Sequence, residues 1–401
     1  MRMILKRQRL GWVATSTTAR ACAAAVGVLA VLTLAMVVAL WPSGDSSSRP
    51  TAPGSLRDAT VTKVVPAGCR YAGGDPACTR ITFRVEDGPK AGSTAALDMP
   101  RAVDVSTGDG IRVVENPIPP GVQPPAGQRP DAYAFSDFRR GTGLLLLAAL
   151  FVVVVVAVTR WQGVRSLVAL ALNLGIIVAF AVPAIAAGRA PTLVALAAGL
   201  VIVLVGLPIS HGVGPKAAAA LVGTSLALGI TVLLGEVGVR VAHITGFASE
   251  EASYLSSVFP DLSVRGLLLA GLIIGALGVL DDLAVTQSST VMALRKANPA
   301  LSTLGLFREA LVVGKDHIGA VVNTLILAYA GASLPVLMIF AAQGTSFTDA
   351  VTSESVAAEL VPMLVGSIGL IAAVPLTTII AALLAVGMPV VHLPDEHTHP
   401  H

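Results

Sequence analysis

Long apolar runs alternate with short polar segments along most of this chain, and one long polar segment interrupts the pattern near the N-terminus. About 20 consecutive apolar residues are enough to cross a bilayer as an α-helix. The pattern therefore predicts an all-α polytopic membrane bundle of about eight spans. The spans are expected at residues 21–41, 143–158, 164–187, 191–207, 217–235, 264–281, 318–342 and 356–386.

The first apolar run follows a basic N-terminus that contains Arg2, Lys6, Arg7 and Arg9. A cleaved signal peptide has a similar charge pattern, but its apolar part is shorter and is followed by small residues. The Val-Ala-Leu sequence at 38–40 fits such a cleavage site poorly. We therefore interpret residues 1–41 as a cytoplasmic N-terminus followed by an uncleaved transmembrane anchor.

The polar segment at residues 42–140 contains short β-favouring runs between turns that are rich in Gly, Pro and Asp. These runs lie at 59–65, 79–85, 93–97, 110–114 and 132–135. They predict a small all-β domain, either a barrel or a sandwich. We expect this domain on the extracytoplasmic side, between the first two spans.

Cys69 and Cys78 lie between the first two predicted strands. In an oxidising compartment, a disulfide between them would close a short loop and stabilise the domain by about 2.5 kcal/mol, by lowering the entropy of the unfolded chain. We predict this disulfide, and the alternative is two free thiols. Cys22, at the edge of the first span, is interpreted as a small apolar packing residue.

The composition is typical of a multi-span membrane protein. Of the 401 residues, 54% are hydrophobic and 13% are charged, and the mean hydropathy is +0.78. A soluble domain could not bury this much apolar surface. The chain has no long basic tract with interleaved aromatic residues, so we do not expect it to bind nucleic acid.

The distribution of basic residues predicts the topology, because Lys and Arg favour connections on the cytoplasmic side. If the N-terminus is inside, the inner connections carry Arg160, Arg165, Lys216, Arg295, Lys296, Arg308 and Lys315. The acidic connection at 343–359 then falls outside. We therefore expect both termini in the cytoplasm, with a seven-span membrane domain at 141–391 and a His-rich tail at 392–401.

Asp281 and Asp282 are adjacent carboxylates at the predicted inner end of the sixth span. An ionisable group within a membrane costs roughly 3 kcal/mol on insertion scales, and it usually faces a bundle interior or a watery cavity where it has a function. On a helix, one face would carry Gly271, Gly275, Gly278 and Asp282. We expect that face to pack tightly against another helix and to aim Asp282 at it.

A second polar group, with Asp316, His317 and Asn323, lies at the inner start of the seventh span. We hypothesise a chamber near the inner leaflet, between the sixth and seventh helices, that brings this group to Asp281 and Asp282. These five residues would form a substrate- or ion-binding site. Oxygen ligands with one imidazole suit a proton relay or a divalent cation.

The alternative interpretation is that Asp281 and Asp282 lie in headgroup water and form ion pairs with Lys315 or Arg295. The sequence does not distinguish a structural carboxylate pair from a binding site. It also does not identify a metal or a cofactor.

Two prolines lie at predicted spans: Pro208 directly follows the inner end of the fourth, and Pro375 falls inside the eighth. A helix that is broken at membrane depth can free backbone carbonyls for ion coordination. A continuous helix, with nearby Ser or Thr bonding to the backbone, is the commoner outcome. His211, which follows Pro208, is interpreted as an interfacial loop residue.

Residues 133–391 resemble the YibE/F family of bacterial multi-span membrane proteins. The resemblance rests on RWQGVRSLVAL from Arg160, HGVGPK from His211 with a later GT ending at Thr224, TGFASEE from Thr245, RGLLLAGLIIGALGVLDDLAVTQSSTVMALRKANP from Arg265 and VGKDHIGAVVNTLILAYAGASLP from Val313. It implies a bacterial cell membrane location. It also places all five candidate site residues within family motifs, without naming a substrate.

Three function classes fit these features, and a transporter or channel for a small ion or solute fits best, because polar residues occur at matched depth beside small-residue helix faces. A non-catalytic scaffold or envelope-assembly factor would use the outer β-domain. An intramembrane hydrolase has less support, because adjacent Asp residues on a helix point about 100° apart.

The sequence contains no Walker-type loop, HExxH pair or nucleophile elbow, so we do not expect an enzyme. The expected partners are the lipid bilayer, a small ion or solute, and either a second copy of the chain or another envelope protein.

Overall fold

The structure is a computed structural model and describes residues 11–14, 16–42, 56–67, 78–100, 103–115 and 132–393. The chain divides into two compact units. One unit comprises residues 46–159, and the other comprises residues 1–45 together with residues 160–401.

Five strands form a single antiparallel sheet in the smaller unit. The strands are β1 (Leu56–Ala67), β2 (Cys78–Val85), β3 (Thr94–Pro100), β4 (Gly110–Glu115) and β5 (Tyr133–Phe138), in the order β3-β2-β1-β4-β5. They lie at the five β-favouring runs, so the prediction of a small β-structure ahead of the second apolar run is confirmed. Its extracytoplasmic location stays a prediction.

One face of this sheet carries an apolar core, because apolar and polar residues alternate along the strands. Ile81 and Phe83 of β2 are fully buried, as are Ile111 and Val113 of β4. The ring of Phe83 meets Tyr133 of β5 edge to face, with 5.7 Å between the ring centroids. The edge strands β3 and β5 also contact each other, so the sheet curls in the manner of a barrel.

The cysteines of the chain fall in different places. Cys78, at the start of β2, is disulfide-bonded. Cys69, its predicted partner, lies outside the described residues, so the pairing stays a prediction. Cys22 is a free and buried thiol, and it packs among apolar residues.

Helices make up most of the remaining described chain. They are α1 (Thr17–Leu40), α2 (Gly141–Ala186), α3 (Pro191–His211), α4 (Pro215–Val241), α5 (Glu250–Val258), α6 (Val264–Ala297), α7 (Thr303–Ala332), α8 (Leu334–Ala342), α9 (Phe347–Thr352) and α10 (Glu354–Gly387). Seven of them are long and apolar enough to cross a membrane, namely α1, α2, α3, α4, α6, α7 and α10. That number refers to the described residues, which include His392 and Leu393 of the predicted tail at 392–401 but not residues 394–401.

The described residues contain seven long helical stretches where the sequence predicted eight spans, because the second and third predicted spans follow each other directly in α2. This stretch has 46 residues, which is about twice the number that a helix needs to cross a bilayer. The backbone leaves the helical region at Arg160 (φ 52°, ψ −130°). The residues on both sides of Arg160 are helical, so two helices meet at this residue. The break agrees with the prediction of two helices at 143–158 and 164–187, and only the connection between them is shorter than predicted.

Side-chain contacts explain why the polar segment after Arg160 stays helical. Gln162 Nε2 donates a hydrogen bond to the carbonyl of Ser210 at 2.7 Å. Arg165 Nε donates to the carbonyl of Ile209 at 2.9 Å. Both carbonyls lie in the last turn of α3, where helix carbonyls lack intrahelical partners. The polar residues therefore bind the end of α3 instead of forming a loop.

The centre of the larger unit is formed by α4, α6 and α10, with α3 and α7 packed against α6. Two reciprocal contacts bring α4 and α10 together. A Cβ added at Gly223 of α4 would lie 2.1 Å from Thr377 Oγ1 of α10, and one added at Gly369 of α10 would lie 2.1 Å from Thr231 Oγ1 of α4. Only glycine leaves room for these buried threonines, so the two backbones approach closely, as small residues allow in membrane bundles.

Both α3 and α10 continue through their internal prolines. Ser210 Oγ donates to the carbonyl of Gly206 at 2.9 Å, and Thr378 Oγ1 donates to the carbonyl of Val374 at 2.6 Å. The helices are therefore continuous, and the alternative of broken helices at Pro208 and Pro375 is not observed.

The connection after α4 is held by Glu354, the first residue of α10. Glu354 Oε1 accepts hydrogen bonds from the backbone N–H groups of Thr245 at 2.8 Å and Gly246 at 2.7 Å. The hydroxyl of Thr245 donates to the same oxygen at 2.7 Å. These bonds attach the start of the TGFASEE segment to the start of α10.

We predict that Gly223→Ala destabilises the protein, because the added methyl group would overlap Thr377 and push α4 away from α10. Overpacking of this kind typically costs about 1–3 kcal/mol. The thermal unfolding midpoint of the full-length protein in detergent should fall by several degrees.

Gly229→Ala is the matched control for this prediction. It lies on the same helix, but a Cβ added there would meet no atom within 4 Å, and alanine has the higher helix propensity. Its midpoint should be unchanged or slightly raised. Equal midpoints for the two variants would contradict the close α4–α10 contact.

Candidate ion site

Asp281 and Asp282 lie near the middle of α6, whereas the sequence placed them at the inner end of a span. The helix has 34 residues and runs on to Ala297. It continues because Gln287 and Ser288, which are polar in the sequence, are fully buried by tertiary packing. The two carboxylates therefore have buried helix on both sides.

The two carboxylates differ in burial. Asp281 is half-buried, and its Oδ1 atom is buried and has no hydrogen-bond partner among the described residues. Asp282 is exposed. Adjacent residues on a helix point about 100° apart, so only one of the two can face the bundle. That residue is Asp281, whereas the glycine pattern pointed to Asp282.

The glycine face of α6 is open. Gly271, Gly275 and Gly278 are exposed together with Asp282, and a Cβ added at Gly271 or Gly278 would meet no atom within 4 Å. The expectation that this face packs tightly against another helix of the chain is therefore wrong. We call this open face, defined by the three glycines and Asp282, the α6 groove.

The α6 groove runs between α3 and α7. Leu277 and Val279 point about 100° to either side of Gly278. Leu277 lies on the α3 side, where its Cδ2 atom would be 3.5 Å from a Cβ added at Gly199. Val279 lies on the α7 side, where it lines a small cleft with Tyr329 and others.

His211, at the end of α3, lies within electrostatic range of Asp282, and it also interacts with Lys216 and Arg165. The interpretation of His211 as a loop residue was wrong, since it is the last residue of α3. The sequence feature that could have identified His211 as part of the site is its position in the HGVGPK stretch. One end of the site therefore has a basic environment next to an exposed carboxylate.

Asp316 and Asn323 lie on a different face of the bundle. The packed face of α7 is marked by Gly314, where an added Cβ would lie 2.6 Å from Gln287 Nε2 of α6. Relative to Gly314, Asp316 points about 200° away and Asn323 about 180° away, and both are exposed. Within one chain, the structure does not bring them to Asp281 or Asp282.

The two acidic groups nevertheless lie at similar depth. On α6, the Asp pair lies between Gly275 and Gln287, which approach Tyr329 and Gly314 of α7. Asp316, His317 and Asn323 lie between those two α7 residues. His317 is half-buried, but no hydrogen bond or ion pair within the described ranges joins it to the Asp pair. The two groups of the predicted chamber therefore lie at similar depth, but they do not lie on the same face of the bundle.

A buried polar layer lies in the centre of the bundle. Gln287 Oε1 accepts a hydrogen bond from Thr378 Oγ1 at 3.0 Å, and both residues are fully buried. Ser288, Thr224 and Thr377 are also fully buried, and their hydroxyl oxygens have no hydrogen-bond partner in the part of the chain that the structure describes. Hydropathy assigned Gln287 and Ser288 to the cytoplasmic end of a span, so sequence reasoning missed them.

The chemistry of this arrangement suits one small cation or a proton at a time. Asp281 supplies a carboxylate oxygen that has no hydrogen-bond partner among the described residues, and the buried polar layer supplies neutral oxygens. In the described ranges, no group of three or more His, Cys, Asp or Glu side chains could hold a metal ion.

The seven long apolar helices among the described residues, together with the buried polar centre, are those of an integral membrane protein. Residues 147–387 match the family described as YibE/F-like protein. The chain belongs to this family, and the resemblance seen in the sequence is confirmed. The match begins within α2, ends at the last residue of α10, and includes His211, Asp281 and Asp282. No curated protein and no solved structure matches the chain.

We predict that Asp281→Asn raises the thermal unfolding midpoint by a few degrees at neutral pH, in buffer without added metal salts. The change keeps the size of the side chain and removes the cost of desolvating a carboxylate whose Oδ1 atom has no hydrogen-bond partner among the described residues. The measurement is thermal unfolding of the full-length protein in detergent.

Asp282→Asn is the control for this prediction, because Asp282 is the exposed neighbour of Asp281. Its midpoint should stay close to that of the wild type. A midpoint for Asp281→Asn that is clearly below the wild-type value would mean that the Asp281 carboxylate is paired in the folded protein, against the geometry described above.

Proposed function

We propose that this protein transports a small cation or a proton across the cell membrane, with Asp281 and Asp282 as the binding groups. The observation that carries the proposal is the buried Oδ1 atom of Asp281, which has no hydrogen-bond partner among the described residues and lies mid-way along an apolar helix. A carboxylate at such depth is costly and is usually retained for a function.

The α6 groove supports access to this site. Its glycines have no side chains, so a hydrated ion could approach the helix backbone and reach Asp282. Asp281, the next residue, then offers a second position that is less exposed. The same cation or proton could therefore move from a hydrated position at Asp282 to a partly dehydrated position at Asp281.

The buried polar layer supports movement beyond Asp281. Ser288 follows Asp281 by two helical turns and lies on the same side of α6. Its hydroxyl has no hydrogen-bond partner in the described structure, and the same holds for Thr224 of α4. Such hydroxyls can coordinate a cation or bond to water, so they offer a polar route through an otherwise apolar core.

A hydrolytic function has less support from this geometry. An aspartate dyad requires both carboxylates to face one substrate and share a proton. Asp281 faces the bundle and Asp282 faces the open groove. A scaffold would not bind ions at either residue. Ion binding therefore distinguishes transport from the scaffold function.

We predict that at least one cation raises the thermal unfolding midpoint of the wild-type protein in a concentration-dependent way, and that this response is lost in Asp281→Asn. A ligand that binds only the folded state at 100 times its Kd stabilises it by about 2.7 kcal/mol. The screen uses monovalent and divalent chlorides and a pH series at constant ionic strength.

Asp261→Asn, which changes an exposed carboxylate outside the long helices, is the control and should respond like the wild type. If no cation and no pH change alters the midpoints of wild type and Asp281→Asn differently, the assignment of the site fails. The scaffold function would then be preferred.

The membrane topology is part of the proposal, with the β-sheet outside the cell and both termini inside. Ser93, before β3, and Ala300, between α6 and α7, are exposed positions separated by α2, α3, α4 and α6. If α2 crosses twice, five crossings separate them and they lie on opposite sides. If it crosses once, four crossings separate them and they lie on the same side.

We therefore predict that Ser93→Cys reacts with an impermeant thiol reagent in intact cells, and that Ala300→Cys reacts only after permeabilisation. The unmutated protein corrects for its own cysteines. Labelling of both variants in intact cells would mean that α2 crosses once, and protection of Ser93→Cys would place the sheet inside.

A further inference from the structure

The α7 helix carries a line of polar residues that faces away from the rest of the larger unit. Glu309, Asp316 and Asn323 recur every seven residues, and all three are exposed. In the most apolar 18-residue stretch of α7, only 11% of the residues are buried, compared with 50% in the corresponding stretch of α6. Asn323 lies about level with the middle of α6, and Asp316 lies about level with Val285, between that middle and Gln287, so facing lipid would be costly for them.

The residues between these polar positions have the spacing of a self-associating helix. Exposed apolar or small residues follow each polar residue at three and four positions, namely Val312 and Val313, then Gly319 and Ala320, then Ile326 and Leu327. This is the seven-residue pattern of helices that pack in parallel. Gly319 and Ala320, in the middle, would allow two helices to approach closely.

We propose that two copies of this chain associate in the membrane through this face of α7. Two identical membrane proteins with the same orientation are related by a two-fold axis along the membrane normal, so each residue lies level with its own copy. Asn323 is then self-complementary, because its amide both donates and accepts a hydrogen bond. Polar side chains commonly bond in this way between helices in membranes.

The charges on α7 are complementary in the same arrangement. A basic residue directly precedes each acidic one, as Arg308 precedes Glu309 and Lys315 precedes Asp316. In a parallel pair, Lys315 of one copy is offset by only one residue, about 1.5 Å, from Asp316 of the other. Arg308 and Glu309 have the same offset. The face therefore supplies both partners of each ion pair from one sequence.

The apolar half of α2 does not offer an equivalent partner. Residues 144–158 contain only Leu, Ala, Phe and Val, so they have no side chain that could bond to Asp316 or Asn323. Lipid tails also have none. A second copy of α7 satisfies these groups, and it does so on a face of the bundle that is distinct from the Asp281 site.

Cysteine crosslinking in native membranes tests this interface. Asn323→Cys, at the position that would pair with its own copy, should form a covalent dimer of twice the 40.7 kDa chain mass under mild oxidation. Leu325→Cys is the control, because it lies two residues further on the same helix and lines the cleft between α6 and α7. It should give no dimer above the unmutated background.

Charge exchange tests the arrangement of the pair. In the Asn323→Cys background, Asp316→Lys should lower the crosslinked fraction several-fold, because lysines would then face each other. Adding Lys315→Asp should restore it, because the ion pairs re-form with reversed signs. Unfolding midpoints close to wild type would show that each variant folds.

Three outcomes would overturn the proposal. They are crosslinking of Asn323→Cys no stronger than that of Leu325→Cys, crosslinking only to a different protein, and failure of Lys315→Asp to restore crosslinking. None of them depends on ion binding at Asp281, so the dimer and the transport function succeed or fail separately.

Discussion

The rest of the membrane unit depends on the close approach of α4 and α10. Gly223 and Gly369 leave room for Thr377 and Thr231, and the reciprocal contacts fix how the two helices align along their length. This alignment places Thr378, next to Thr377, within 3.0 Å of Gln287 on α6. Because Gln287 also meets α7 at Gly314, the glycine–threonine contacts determine where α6 and α7 sit and therefore where the candidate site lies.

The position of α6 gives its two carboxylates different environments. One side of the helix packs against α4 and α10, whereas the glycine side stays open between α3 and α7. Asp281 lies at the border between these sides, with one oxygen buried and without a partner among the described residues, and Asp282 lies in the open groove. An accessible carboxylate, Asp282, thus lies next to Asp281, a carboxylate whose desolvation is costly. This arrangement is the one expected of an ion or proton site.

Apolar runs predicted most of the long helices, because membrane-spanning helices must satisfy their backbone bonds internally and bury apolar side chains. The apolar runs failed to predict helix where polar residues are buried or hydrogen-bonded by tertiary contacts. Gln287 and Ser288 follow the predicted end of a span, but they are buried within α6. Gln162 lies where a loop was predicted, but it is helical and binds the end of α3. The glycine spacing of α6 identified a face without side chains, but sequence alone could not show whether a helix covers it. For the same reason, the sequence argument directed Asp282 towards the bundle, whereas in the structure Asp281 is the residue that faces it.

Proton and cation flux in liposomes tests the central claim most directly. Full-length protein would be reconstituted with a pH-sensitive dye inside, and the decay of an imposed pH gradient followed with each of several cations outside. The account predicts a faster decay than in empty liposomes with at least one cation, a rate in Asp281→Asn that equals the empty control, and a wild-type rate in Asp261→Asn. Equal rates in wild type and Asp281→Asn, or a wild-type rate no higher than that of empty liposomes with every cation, would contradict it.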